Sequence, residues 1–140
     1  MTRLLLISLT LAALLLGCEQ KKGRVSPTDV EWVEVGESRT TFYVDPYNIY
    51  RKGERAKMWH LRDHKTTQTS DPTGEPYLST RIQQEYDCGE VRTRILEVTN
   101  FSGHMGSGKI TYTDSSESEW VSIEPGNTLQ RSWKLACGKK

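Results

Sequence analysis

The feature that most constrains this chain is a run of apolar residues close to its start. Leu4 to Leu16 is almost continuously apolar and follows the positively charged Arg3. These thirteen residues are too few to cross a bilayer, which takes about 20 apolar residues in a helix. A charged residue followed by a short apolar core is typical of a secretory signal peptide. The run therefore predicts that the rest of the chain folds outside the cytosol.

The residues that end this run resemble the lipobox of bacterial lipoproteins. Leu15, Leu16 and Gly17 precede Cys18, so an apolar stretch, a small residue and a cysteine come in the order that the lipobox requires. The resemblance implies that Cys18 is lipidated and that residues 1–17 are removed as the signal peptide. Acyl chains anchor a protein durably, since each buried methylene contributes about 0.8 kcal/mol. An ordinary signal peptide or a buried N-terminal helix remains the alternative.

The residues after Cys18 predict where the anchored chain lies. In lipoproteins that stay at the inner membrane the next residue is usually Asp, whereas here it is Glu19, which favours the outer membrane. Residues 18–29 are polar and without periodicity, which predicts the lipid anchor and a flexible tether. Residues 30–140 suit a single domain.

The charge balance argues against nucleic acid as a partner. One of the 19 Lys and Arg residues, Arg3, lies in the predicted signal peptide. Without it, the positive residues equal the 18 Asp and Glu residues in number. A nucleic-acid-binding domain usually carries a basic excess. The domain is also poor in aliphatic residues, so we expect a small core built largely from aromatic rings.

The cysteine count fits export. If Cys18 carries lipid, Cys88 and Cys137 remain as a pair, and an oxidising compartment favours a disulfide between them. The loop that it closes spans about 50 residues, which corresponds to roughly 4 kcal/mol of stabilisation in the chain-entropy model. Two free, buried thiols are the alternative.

The domain reads as an α+β fold in which strands precede one helix. Short alternating segments separated by turn signals, with no helical crossovers, favour about six antiparallel strands. They are EWVEVG, TTFYVD, RAKMWHLRDH, PYLSTRIQQEYDC, VRTRILEVTNF and KITYT. At the C-terminus, Leu129, Trp133 and Ala136 form one stripe of a helix. Asn127 is the expected N-cap, and Gln130 completes a capping-box pattern.

A set of landmarks in this order resembles the surface-adhesin protein E-like lipoproteins of Gram-negative bacteria. The landmarks are VDPYNI, KMWHLRDH, YLSTRIQQEYDC, RTRILEV, MGSGK and EPGNTLQRSWKLAC, and the resemblance covers roughly Val30 to Cys137. It implies a six-stranded antiparallel sheet with a C-terminal helix, export and lipid anchoring at the cell surface. The resemblance identifies Cys88 and Cys137 as scaffold positions, and it identifies no ligand-binding residue.

The stretch GHMGSGKI, Gly103 to Ile110, matches most of the sequence motif of a phosphate-binding loop. Such a loop needs Ser or Thr after its Lys and a helix whose N-terminus faces the phosphates. Here Ile110 follows Lys109, and the next residues read as a strand. The glycines therefore predict a hairpin connection rather than a nucleotide site.

Neither a metal site nor a catalytic site is predicted. His60 and His64 share a face of a strand while Asp63 points away, so only two ligands converge, whereas a closed zinc site needs four. His104 would be a third ligand only if its turn folded nearby. No nucleophile elbow is present, and the two cysteines of a disulfide are not available as thiolates. We therefore expect no enzyme activity and no cofactor.

One stretch carries a local excess of positive charge. Against Glu54 and Asp63 it contains Arg51, Lys52, Arg55, Lys57, Arg62 and Lys65. Such a patch would steer an anionic partner, either a sulfated glycan or an acidic host extracellular-matrix protein, unless these residues are simply a solvated surface.

Together these patterns predict a lipid-anchored outer-membrane binding or adhesion protein without catalysis. The alternative is a periplasm-facing accessory lipoprotein, either an inhibitor of a cell-wall enzyme or an envelope assembly factor. The oligomeric state stays open.

Overall fold

The computed structural model describes residues 30–69 and 73–140. The predicted signal peptide, the tether and the lipidation of Cys18 lie outside the described residues. The described residues form one antiparallel sheet, one α-helix and a short 3₁₀ helix at His104–Gly106. The strands are β1 Val33–Glu37, β2 Thr40–Val44, β3 Tyr50–Lys52, β4 Arg55–Thr69, β5 Pro76–Asp87, β6 Arg92–Phe101, β7 Ile110–Asp114 and β8 Val121–Ser122, and the helix is α1 Thr128–Cys137.

The predicted fold class is confirmed. The six strands in the order β1-β2-β4-β5-β6-β7 form the continuous path of the sheet and correspond to the six predicted segments. Two further strands, which the sequence did not indicate, are short: β3 pairs with β4, and β8 pairs with β6. The β6–β7 connection is the predicted hairpin, closed by the Ser102 N–H donating to the Lys109 carbonyl over 2.9 Å.

Alternation along β4 and β5 gives the sheet two different faces. The paired residues Ala56 and Tyr86, and Met58 and Gln84, lie on one face because cross-strand partners point the same way. The helix α1 packs on this side, which we call the helix face. The other side, which we call the open face, carries Arg55 and the residues that alternate with it along β4.

The main core lies between α1 and the helix face. Its buried residues are Val44, Ala56, Met58, Tyr86, Ile123, Trp133 and Ala136. Leu129 is partly buried against them, so the predicted stripe of α1 is the side that faces the sheet. The Trp133 indole N–H also donates to the Asp87 carbonyl over 2.8 Å, which links the helix to the end of β5.

Both ends of α1 are tied down. The Asn127 side chain accepts a hydrogen bond from the Gln130 N–H over 2.9 Å, as expected for an N-cap. The Gln130 side chain instead reaches the N–H of Gly126, one residue before the cap. At the other end Gly138 adopts a left-handed conformation, and the predicted disulfide joins Cys137 to Cys88. Within the described residues no helix has the length and apolarity needed to span a membrane.

Candidate contact surface

A buried carboxylate organises one end of the open face. The side chain of Asp87 is 5% exposed and lies 2.8 Å from Arg55 and 3.0 Å from Arg92. Burial raises the pKa of Asp87, but hydrogen bonds from the Glu90 N–H, from Arg92 and from the Gly89 N–H, with the charge of Arg55, outweigh burial and hold the pKa below its ordinary value. Ion pairs therefore connect the end of β5 to the first residues of β4 and β6.

The ring of Trp120 lies under three guanidinium groups. Arg55 is 4.4 Å from the ring centroid, Arg94 is 4.8 Å away and Arg92 is 5.0 Å away. Each contact is within the range of a cation–π interaction. Arg94 also pairs with the buried carboxylate of Glu85 over 2.7 Å. This end of the open face is therefore a fixed array of arginines over one aromatic ring.

A second arginine–aromatic contact lies farther along the open face. Arg81 is 4.7 Å from the ring centroid of Trp59 and 5.8 Å from that of Phe101. Its ion pair with Glu97 is long, at 3.9 Å, and its buried Nε has no hydrogen-bond partner among the described residues. Arginine and aromatic side chains are enriched at protein interfaces, where they supply most of the binding energy.

A cluster of exposed residues borders this array. Tyr50 is 60% exposed, and it lines a cavity of about 270 Å³ together with Lys52, Arg55, Lys57 and Glu85. We call Tyr50, Lys52 and Lys57 the lysine corner. Neither lysine forms an ion pair with any residue in the described part of the chain. The charges of both lysines are therefore available to an anionic partner.

The glycine-rich connection folds back over the opposite end of the open face. The Asp63 carboxylate accepts from the Met105 N–H over 2.8 Å and contacts the His104 ring at 3.1 Å. Ser79 bonds the loop as well, since its hydroxyl donates to the Gly103 carbonyl over 2.6 Å. Met105 has a φ of 54° and is 42% exposed, so the loop presents an apolar side chain from a strained backbone.

The six residues of the predicted basic patch do not lie together. Lys52, Arg55 and Lys57 share the cavity beside Tyr50. Arg51 turns to the end of α1, where its Nε donates to the Ala136 carbonyl over 2.7 Å. Lys65 pairs with Glu37 over 2.6 Å. Arg62 points to the helix face, because it pairs with Thr80 and lies an odd number of residues from Arg55.

The sheet separates His104 from His60 and His64. His60 lies on the helix face and contacts the Tyr86 hydroxyl at 2.6 Å, and burial together with Arg62 lowers its pKa to about 3. His64 contacts the Thr40 hydroxyl at 2.9 Å on the same face. His104 lies on the other side, against Asp63. The described residues contain no group of three or more His, Cys, Asp or Glu side chains able to hold a metal ion.

Sequence reasoning missed Arg81, Arg92 and Arg94, and it favoured a place in the core for aromatic rings such as that of Trp120. One signal was present, since Arg92 and Arg94 are two residues apart in a segment predicted as a strand and must therefore share a face. Trp120 had no such signal, because it reaches the open face from an irregular segment after β7.

The comparisons with known proteins agree with this architecture. Residues 32–138 match the family model described as surface-adhesin protein E. A solved structure of Haemophilus influenzae protein E is 16% identical, with a TM-score of 0.61, covering 80% of this chain and 89% of that chain. Protein E from non-typeable Haemophilus influenzae is 15% identical, with a TM-score of 0.61, covering 81% of this chain and 82% of that chain. At these identities the structures support the fold alone. Among curated proteins none matches the sequence significantly.

Proposed function

The chain belongs to the surface-adhesin protein E family, and we propose that it is a lipid-anchored binding module of the outer membrane that works without catalysis. Lipid at Cys18 would hold it to the membrane, and residues 18–29 would act as a spacer. The disulfide-linked domain would then meet its partner through the open face. The family match supports an adhesin-type protein that is exported to the cell surface.

The lysine corner is the observation that indicates which class of partner the protein binds. Tyr50, Lys52 and Lys57 are grouped on the open face, and the carboxylate beside them, Glu85, is already paired with Arg94. The corner therefore has a local positive potential that favours an anionic partner. We propose a sulfated glycan or an acidic segment of a host extracellular-matrix protein, with Tyr50 supplying apolar contact.

Binding to an immobilised sulfated glycan tests this assignment. The double variant Lys52→Ala/Lys57→Ala should bind at least about tenfold more weakly at low salt, because two charge-assisted contacts are lost. Binding by the unaltered protein should also weaken as salt is added. Lys65→Ala is the matched control, since that lysine is paired with Glu37 away from the corner. Equal binding by the double variant and the control would contradict the proposal.

Protease treatment of intact cells tests the orientation. Digestion of the protein at the surface is expected for an adhesin. Full protection until the outer membrane is opened would favour the periplasm-facing accessory lipoprotein. Intact-mass measurement of the membrane-extracted protein tests the anchor separately, since it should show a chain that begins at Cys18 and carries acyl groups.

A further inference from the structure

A cavity of about 260 Å³ lies on the helix face, between the N-terminal turn of α1 and the sheet. Thr128 and Leu129 line it from the helix, and Val35 and Phe42 line it from β1 and β2. It is on the opposite side of the sheet from the lysine corner. We call it the helix cavity.

Arg62 supplies the charge of the helix cavity. Arg62 lines the cavity, and its side chain forms no hydrogen bond or ion pair with any residue in the described ranges. The residues that line the cavity include no Asp, Glu or Lys. His60 also lines it but is neutral at physiological pH, since its pKa is lowered to about 3. The cavity therefore carries a single, uncompensated positive charge.

A second polar group in the cavity also lacks a partner. Gln84 is 5% exposed and lines the cavity, yet its carboxamide forms no hydrogen bond with the described residues. Buried amides are normally hydrogen-bonded, so this carboxamide can still donate to and accept from a ligand. The N-terminal end of α1, which favours negative charge, borders the same space. Three independent features thus favour an anionic acceptor at this position.

We propose that the helix cavity binds a small organic carboxylate with an apolar body. One arginine and no second cation match a monoanion better than a phosphate dianion, and the guanidinium fork fits a carboxylate. A dry cavity of about 150 Å³ accommodates benzene, so 260 Å³ suits a ligand of roughly ten non-hydrogen atoms. The carboxylate would meet Arg62 and Gln84, and the body would lie against Val35, Phe42 and Leu129.

A neighbouring cavity must be told apart from this one. It has a volume of about 280 Å³, is also lined by Arg62, and is bordered by Ile82, Ile95 and Val98. Gln84 lines only the helix cavity of the two, and Ile95 lines only the neighbouring one. These two residues therefore report separately on the two spaces.

Titration of the domain with benzoate, followed by NMR, tests the proposal. We expect saturable shifts of the Gln84 side-chain amide signals, with unchanged indole N–H signals of Trp59 and Trp120 on the open face. Benzyl alcohol and benzylamine should bind at least about tenfold more weakly, because they lack the negative charge that pairs with Arg62. Phenyl phosphate should not bind more tightly than benzoate.

Variants at one position complete the test. Arg62→Gln should weaken benzoate binding about tenfold, and Arg62→Lys should weaken it less. Arg39→Gln removes the same charge at an exposed position and should leave binding unchanged. Arg62 has no ion-pair partner, so both variants should fold, which the wild-type dispersion of the amide spectrum would verify.

Several results would overturn the assignment. They are the absence of saturable shifts at Gln84, equal binding of benzoate and benzyl alcohol, unchanged binding by Arg62→Gln, and shifts at Ile95 without shifts at Gln84. Tighter binding of phenyl phosphate would refute the carboxylate class. None of these results bears on the sulfated-glycan assay, since the two sites lie on opposite faces of the sheet.

Discussion

Two arginines of one strand, which lie on opposite faces of the sheet, have opposite surroundings. Arg55 of β4 lies on the open face, 2.8 Å from the buried carboxylate of Asp87 and 4.4 Å from the ring of Trp120. Arg62 of the same strand lies on the helix face, where no described carboxylate meets it and burial lowers its pKa. The open face therefore pairs Arg55 with a carboxylate, whereas the helix face leaves the charge of Arg62 without a partner beside a cavity.

For these two arginines, the difference separates a role in stability from a role in ligand binding. Paired charges that stack on aromatic rings hold the open face in a fixed arrangement. A partly buried charge without a partner costs free energy in the unliganded protein, and that cost is reduced when an anion binds. The helix face can carry it because the core under α1 and the disulfide stabilise that side.

Removing the disulfide should have the largest effect. The variant Cys88→Ala/Cys137→Ala should lose about 4 kcal/mol of unfolding free energy, because the bond closes a long loop in the unfolded chain. Urea unfolding of the variant and of the oxidised protein measures the difference. The helix α1 should open first, which would be seen as faster amide hydrogen exchange in α1 than in β5. A loss below about 1 kcal/mol would contradict the dominant role given to this bond.

Mild acid should destabilise the helix face alone. The pKa of His60 is lowered from 6.5 to about 3 by burial and by Arg62, so below pH 6.5 the unfolded chain binds a proton that the folded chain does not. Lowering the pH from 7.5 to 5 should therefore remove about 2 kcal/mol of stability. His64, whose pKa is also lowered chiefly by burial, acts in the same direction. Urea unfolding at the two pH values measures the loss.

The open face supplies the contrast in that experiment. The lowered pKa of Asp87 means that its stabilisation is present above pH 3.8 and is lost only as the pH falls through the folded-state value. Between pH 7.5 and 5 it should contribute no change. His60→Gln should reduce the pH dependence over this interval, and an unreduced dependence would contradict the assignment to His60.

Replacing one arginine on each face should change stability in opposite directions. Arg62→Met should raise the unfolding free energy by up to about 1 kcal/mol, because a desolvated charge without a partner is removed. Arg92→Met should lower it by about 1 kcal/mol, because Asp87 loses one of its two arginines. Urea unfolding at pH 7.5 measures both. A decrease for Arg62→Met as large as that for Arg92→Met would contradict the comparison.

The smallest effect is expected at an exposed ion pair. Lys65 and Glu37 lie 2.6 Å apart, but both side chains are 54% exposed. Lys65→Gln should leave the urea midpoint unchanged, because solvent and salt screen such pairs. A shift as large as that of Arg92→Met would show that the short distance outweighs exposure.

The features that the sequence predicted correctly are those that depend on local periodicity. Alternation over a few residues indicated the six strands of the sheet path, and the spacing of Leu129, Trp133 and Ala136 indicated the buried side of α1. The N-cap at Asn127 was also readable, because a cap involves residues three positions apart. His60 and His64 were correctly placed on the face opposite Asp63 for the same reason.

The features that were missed depend on several distant segments at once. The array of arginines over Trp120 brings together residues from β4 and β6 with a residue from an irregular segment. The predicted basic patch counted charges along the chain, but alternation sends Arg55 and Arg62 to opposite faces. Arg51 was counted in that patch, yet it caps the end of α1, 85 residues away in the chain.

By itself the sequence determined the six strands of the sheet path and the helix, because turn chemistry, strand alternation and helix capping act over a few residues, and it predicted the disulfide between Cys88 and Cys137. Only the tertiary structure decided which charges are neutralised and which remain alone, because an ion pair or a cavity depends on distances across the sheet. Arg62 illustrates this division. Its position on a strand could be read from the pattern, whereas its lack of a partner became visible only when α1 was placed over the sheet.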